Sequence, residues 1–326
     1  MSLKSLFAIW LTTLYSLVVQ SEPLGIIPAI EEGYSRIKFE FQSDIWTRPD
    51  QNKESPVRFY GGTIHLPLIQ TNEWSASLKS SDESLSLART DMHVGNNVVE
   101  IGSNLQSRSI GLGLEKRTEK STFTFFAFHD SASEEPYRND RDVFNRYAFA
   151  YHLPSLFNED SVRWFLGLES SNNRGYLNGQ TLPIVGASFK PHSNTTVIIG
   201  IPFLRVIWHE PGFWTSQIHM GVVGVSYEGE FIHSGEVSSF IQSGISTRSY
   251  AHTQRLNDEK RLFYQENYYE GGLKLRVKKT TVFRFVGGFS NGRKLYEGQQ
   301  SFRSQGAVQS INSDLYSKIS MEFQIL

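Results

Sequence analysis

The chain contains no cysteine, which at once excludes disulfides, thiolate nucleophiles, iron–sulfur clusters and cysteine-bound zinc. It also lacks an excess of either charge: 32 Lys+Arg against 33 Asp+Glu leave a net charge of -1 and give no electrostatic reason to bind nucleic acid. Beyond its N-terminus it lacks any apolar run that could cross a bilayer as a helix, which takes about 20 residues. The most apolar stretch there, Val197 to Leu204, is short and is interrupted by Gly200 and Pro202. An amphipathic helical repeat is missing too. Aromatic residues are abundant, with 23 Phe and 14 Tyr in 326 residues, a richness usual where strands meet lipid or pack in sandwiches.

The N-terminus reads as an address. Lys4 precedes an almost wholly apolar run from Leu6 to Val19, and Val19-Gln20-Ser21 offers small residues for cleavage. This order predicts a cleaved secretory signal peptide over residues 1–21 and an exported chain over 22–326, forming one domain. The alternative, an uncleaved anchor, would need a longer apolar run. Without cysteine after the run, a lipoprotein anchor is excluded.

Alternation with period two dominates the exported part. Ile37, Phe39 and Phe41 alternate with Arg36, Lys38 and Glu40; Tyr147, Phe149 and Tyr151 with Arg146, Ala148 and Ala150. Leu166 and Leu168 face away from Arg163, Phe165 and Glu169; Leu273, Leu275 and Val277 from Lys274, Arg276 and Lys278. Phe283 and Phe285 oppose Arg284, and Ile319, Met321 and Phe323 alternate with Lys318 and Glu322. Successive strand side chains point to opposite faces, so the fold is all-β with one apolar and one polar face. Ser290-Asn291-Gly292-Arg293 has the Asn-Gly pair of a tight turn, and Asp130 to Arg141 and His252 to Lys260 read as exposed loops.

Alternation fits two architectures: an antiparallel up-and-down transmembrane β-barrel, or a secreted β-sandwich. Three features favour the barrel. The polar faces carry full charges of both signs. Trp46, Trp74, Trp164, Trp208 and Trp214 mostly lie near the ends of apolar runs, as in an interfacial belt, and the chain ends on a strand. At about 10 residues per spanning strand plus connections, about 12 strands are expected, an even number between roughly 10 and 14.

The C-terminal strand resembles the closing strand of bacterial outer-membrane proteins, which the barrel assembly machinery reads, although Leu326 stands where an aromatic residue is usual. From Leu182 onward the chain resembles a family of uncharacterised bacterial outer-membrane β-barrel proteins. The segments that carry this are Leu182-Pro183-Ile184-Val185-Gly186, Gly200-Ile201-Pro202 through Trp208, Tyr268 to Leu273, and a terminal hairpin from Gly288 through Arg293 to Tyr296. The resemblance covers under half of the exported chain. It implies a barrel fold, an outer-membrane address and lipid as surroundings, and brings no activity or cofactor.

Catalytic sets are incomplete. Gly288 to Arg293 also resembles the serine segment of outer-membrane phospholipase A, but that family places a His base two residues before the serine, where this chain has Gly288. Ser290 is therefore expected in a turn, and no enzyme activity is expected. His209 and His219 flank a Pro-Gly turn and could meet across a hairpin, without metal-ligand spacing. Asn194-Thr195-Thr196 reads as a polar turn. The constellation with chemical content is the set of polar-face charges: Arg36, Lys38, Glu40, Arg146, Arg163, Glu169, Lys274, Arg276, Lys278, Arg284, Lys318 and Glu322. In a closed barrel they would face the lumen. Two readings stay open there: a narrow channel for small solutes, or a salt-bridged interior without an open path.

Overall fold

A computed structural model describes residues 35–44, 57–87, 90–94, 97–101, 104–119, 121–153, 162–173, 177–201, 203–221, 224–252, 255, 257–277, 280–301, 304 and 308–325. The expected leader, Trp46 and Lys278 lie outside the described residues, as do the side chains of Arg36 and Lys38.

The strands are β1 (Ser35–Asp44), β2 (Arg58–Gln70), β3 (Trp74–Ser86), β4 (Thr90–Val94), β5 (Asn97–Ile101), β6 (Asn104–Arg117), β7 (Thr122–Ser133), β8 (Val143–His152), β9 (Val162–Ser171) and β10 (Thr181–His192). They continue as β11 (Thr195–Ile201), β12 (Phe203–Glu210), β13 (Trp214–Gly221), β14 (Gly224–Ile232), β15 (Val237–Tyr250), β16 (Arg261–Val277), β17 (Thr281–Gly298), β18 (Val308–Ser310) and β19 (Asp314–Ile325). Every pairing along the main sheet is antiparallel between chain neighbours, and β19 returns to β1 with Lys38 opposite Glu322 and Phe41 opposite Ile319. The sheet thus closes on itself, so the architecture is a barrel and not a sandwich. β4 and β5 form a separate hairpin between β3 and β6, and β18 only flanks the end of β17.

The barrel has 16 staves, more than the 10 to 14 expected. The difference comes from connections almost too short to see in the sequence. Gly200 through Trp208, which reads as one proline-bearing strand, belongs to two: β11 ends at Ile201, β12 starts at Phe203, and the two pair antiparallel with Gly200 opposite Phe203.

Alternation sorts the side chains as the sequence implies. Phe39, Ile110, Leu112, Phe125, Tyr147, Leu168, Leu273 and Phe285 are exposed on the outside, while their chain neighbours point inward. The inward face is identified by reach: Arg284 on β17 meets Glu228 on β14, three staves away, which only a concave surface permits when neighbouring strands lie about 4.8 Å apart. The four described Trp residues of this sheet, Trp74, Trp164, Trp208 and Trp214, all lie at the barrel end that carries the short turns, on the outward side. The described tryptophans are thus gathered at one end, while Phe41 and Tyr60 are exposed near the other.

Inside, the wall from β6 to β12 carries an apolar cluster among scattered charges. Phe126, Phe165, Ile184, Ile198 and Phe203 form a buried cluster, and Phe165 stacks on Phe203 with ring centres 5.8 Å apart. These rings lie flat over glycines directly opposite them on the next strand: Phe126 over Gly113, Phe203 over Gly200. A Cβ on Gly113 would come within 2.7 Å of the Phe126 ring, so any larger residue there would push the ring into the interior.

The end bearing the long connections is closed. β7 and β15 stand eight staves apart in either direction, diametrically opposed, yet Ala251 N donates to Ala132 O at 2.6 Å and Ser133 bridges Ala251. Around this contact a second core collects Leu85, Leu105, Phe144, Tyr250, Leu262, Tyr264 and Leu295, each at most 1% exposed. The two segments expected as exposed loops, 130–141 and 252–260, take part in this closure. Arg255 and Asp142 pair at 2.5 Å with side chains only 3% exposed, and Arg141 pairs with Asp258. Residues 137–141 and 257–259 are exposed as expected, and the two segments are in addition each other's partners.

Candidate functional site

The interior is the candidate site, and its charged wall runs from β13 through β19 to β1. β14 and β16 supply Glu230 and Lys274, which meet at 2.5 Å, while Arg284 reaches both Glu228 (3.2 Å) and Gln242 (3.3 Å) and lies over the Phe240 ring at 4.3 Å. Glu270 on β16 is a hub. It accepts from the Tyr316 hydroxyl at 2.6 Å, from Lys318 Nζ at 3.4 Å and from the Gln242 amide. Lys318 also pairs with Glu40 at 3.2 Å, across the β19–β1 seam. Each ion therefore has an opposite partner, the condition under which half-buried charge is tolerated.

Nearer the closed end the wall becomes dry. Glu266 accepts from Ser290 Oγ (2.8 Å) and from the Tyr264 hydroxyl (3.0 Å), and lies 3.3 Å from Arg248 and 3.5 Å from Arg293. Ser290 is fully buried and also accepts from Arg293 Nε at 3.0 Å. Ser290-Asn291-Gly292 is not a turn. It lies within β17, where the register against β16 slips between Gln265 and Asn267 and Gly292 takes a φ of 60°. The Asn-Gly pair serves a β-bulge, which needs the same left-handed backbone as a tight turn. The bulge directs Arg293 inward toward Glu266. The same finding corrects the terminal segment Gly288 to Tyr296, expected as a hairpin, which is one continuous strand.

The remaining sequence candidates are spread out. Arg146 lies 3.6 Å from Asp130 and 4.4 Å over the Phe128 ring, beside the apolar cluster. Glu169 is 5% exposed on β9. Arg163 and Arg276 are exposed near the short-turn end, and Glu322 stands opposite Lys38 and Val282. Arg36 has Gln324 opposite it. His209 and His219 do not meet, because the β12–β13 register pairs His209 with Thr215 and His219 with Arg205. Asn194 does sit in the β10–β11 turn. Glu228, Glu230, Glu266, Glu270 and Tyr316 escaped notice. A signal existed for the first two, since Tyr227, Gly229 and Phe231 alternate with them as regularly as any segment in the chain.

Outside the strands, His252 is buried against Glu297 at 3.1 Å, and Glu297 also holds Lys260 at 3.1 Å. Burial holds the His252 pKa below the usual histidine value, although Glu297 pulls the other way. No group of metal-ligating side chains occurs among the described residues.

No family model and no curated protein matches the chain. Among solved structures, the *Pseudomonas putida* toluene transporter TodX is similar with 9% identity over 94% of each chain and a TM-score of 0.38. A mutant porin of Rh. blastica has 8% identity over 90% of this chain and 99% of its own, with a TM-score of 0.33. OmpT of Vibrio cholerae has 5% identity over 90% and 96%, also at 0.33. Likeness at this level adds nothing to the fold, which strand pairing establishes by itself: this chain is an all-β, antiparallel, closed barrel.

Proposed function

We propose that the chain is exported through the leader at residues 1–21, inserted by the barrel assembly machinery, and resides in the bacterial outer membrane as a barrel that is closed in its resting state. The apolar exterior supports the address. A continuous belt of exposed Phe, Tyr, Leu and Ile around a closed sheet is unfavourable in water and suits lipid. The resemblance over residues 182–296 to uncharacterised outer-membrane barrel proteins agrees with it.

The observation that carries the closed state is the main-chain contact between Ala132 and Ala251 across opposite walls. A steady aqueous path would have to pass through a core whose members are at most 5% exposed. The interior then serves as a chamber for small solutes, bounded at one end and lined by paired charges, in place of a permanently open channel.

Planar bilayer recording tests this. Purified, heat-modifiable protein is expected to give no steady unit conductance at moderate voltage, and a persistent open level in the unaltered protein would refute the closed state. Membrane insertion has its own check. Leu112→Arg, outward on β6, should cost about 2–4 kcal/mol if it lies near the bilayer midplane, read as reduced heat-modifiable yield.

A further inference from the structure

We infer that the charged wall contains a binding site for a small, uncharged, hydroxyl-rich solute of about monosaccharide size. The inference rests on the barrel reading above and names what its chamber takes. Between β13, β14, β15, β16, β19 and β1 lies a cavity of 280 Å³, just below the range usual for drug-sized ligands. Its charged groups are already committed: Glu270 to Lys318 and Tyr316, Glu266 to Arg248. Gln242 and Tyr316 are committed to these charges as well, but five other neutral polar groups are not. The side chains of Gln42, His219, Ser226, Ser246 and Tyr268 line the cavity and hydrogen-bond to no protein group among the described residues.

Strand register places these groups together. His219 stands opposite Ser226, Ser226 opposite Gly244, and Gly244 opposite Tyr268. Gly244 leaves the floor of this row open, and the Tyr268 ring lies over it; a Cβ there would meet the Tyr268 hydroxyl at 2.6 Å. One amide, one imidazole and three hydroxyls offer both donors and acceptors. They match a ligand that carries several hydroxyls and no net charge. An ion would find no unpaired counter-charge, and would have to break an existing pair to gain one.

The test uses the full chain refolded in detergent and three probes of one shape: D-glucose, its anionic relative gluconate and its cationic relative glucosamine. Isothermal titration is expected to show saturable glucose binding at roughly millimolar affinity, with both charged probes at least tenfold weaker. Ser246→Trp, which fills the cavity, should abolish it, and Tyr268→Phe should weaken it several-fold. Phe213→Ala, at the distant short-turn end, should leave it unchanged. Equal binding of all three probes, or glucose binding that survives Ser246→Trp, would overturn the site. If the protein shifts on heating yet binds no glucose, the site is wrong while the barrel stands. If it shows no heat-modifiable form, the barrel reading falls and the site with it.

Discussion

The two ends of this barrel are built from the same alternating sequence and come out opposite. At the short-turn end Leu68, Ile69 and Phe213 are 55 to 62% exposed, and Trp74 and Trp208 project outward. At the other end Leu85, Leu105, Phe144 and Leu262 are at most 1% exposed. Strand length accounts for the difference. β15, β16 and β17 run for 14, 17 and 18 residues, whereas β11, β12 and β13 have 7 or 8. The long staves overrun the barrel, and their ends fold across its mouth. Arg248 then lies over Phe59 of β2, Arg261 over Phe144 of β8, and Ser249 Oγ meets Asn173 beyond β9. Among the described residues, this end is closed by the overrunning strand ends together with Leu87 and Ile101 of the β3–β6 connection.

The largest contrast between the ends should come from Arg255→Ala. It strands the carboxylate of Asp142 in a dry site, a loss of about 3–5 kcal/mol, whereas Arg163→Ala at the open end should be close to neutral. Limited proteolysis would show the difference as new cleavage near residues 251–260, and bilayer recording as intermittent openings. Nearly as large, Leu105→Ala should cost about 2–5 kcal/mol in urea unfolding, and Leu68→Ala, exposed at the other end, under about 1 kcal/mol. Equal losses at both ends would erase the contrast.

Acid should loosen the closed end. The folded pKa of His252 is depressed by burial, so the unfolded chain takes up the proton first as pH falls. Its contribution is intact above the unfolded value of about 6.5 and is lost as pH drops below it toward the depressed folded pKa. Protease sensitivity of residues 251–260 should therefore rise on acidification, and His252→Gln should flatten that rise. A smaller effect is expected from Arg284→Glu. It places like charge beside Glu228 and shifts cation preference in any variant whose mouth has been opened, seen as a change in reversal potential. Arg276→Glu, exposed at the short-turn end, should shift it less.

The contrast also marks how far the sequence could be read. Which side of a strand faces outward was legible wherever apolar residues alternate, as at Phe39 and Phe41 or Leu166 and Leu168, because a period of two has one meaning in a sheet. The register at the seam, with Lys38 opposite Glu322, comes from the strand pairing alone. Strand number was not legible. β3, with Ser75, Ser77, Ser80, Ser81 and Ser84, is polar on both sides, and a single residue separates β11 from β12. Nor was closure. Leu105 or Leu262 looks the same in sequence whether it lines a lumen or a core, since burial there depends on a stave half the circumference away. Asn291-Gly292 misled for a related reason: bulges and tight turns require the same backbone, and only the partner strand distinguishes them.

The contact between opposite walls can be measured directly, because the chain has no cysteine of its own. Ser133→Cys together with Ala251→Cys puts two thiols at a β-bridge, where Cα separations suit a disulfide of about 5.5 Å span. Mild oxidation of the folded, heat-modifiable protein should join them in high yield and block their labelling by maleimide. Two thiols that both label freely and never join would mean that β7 and β15 stay apart and that the barrel is open.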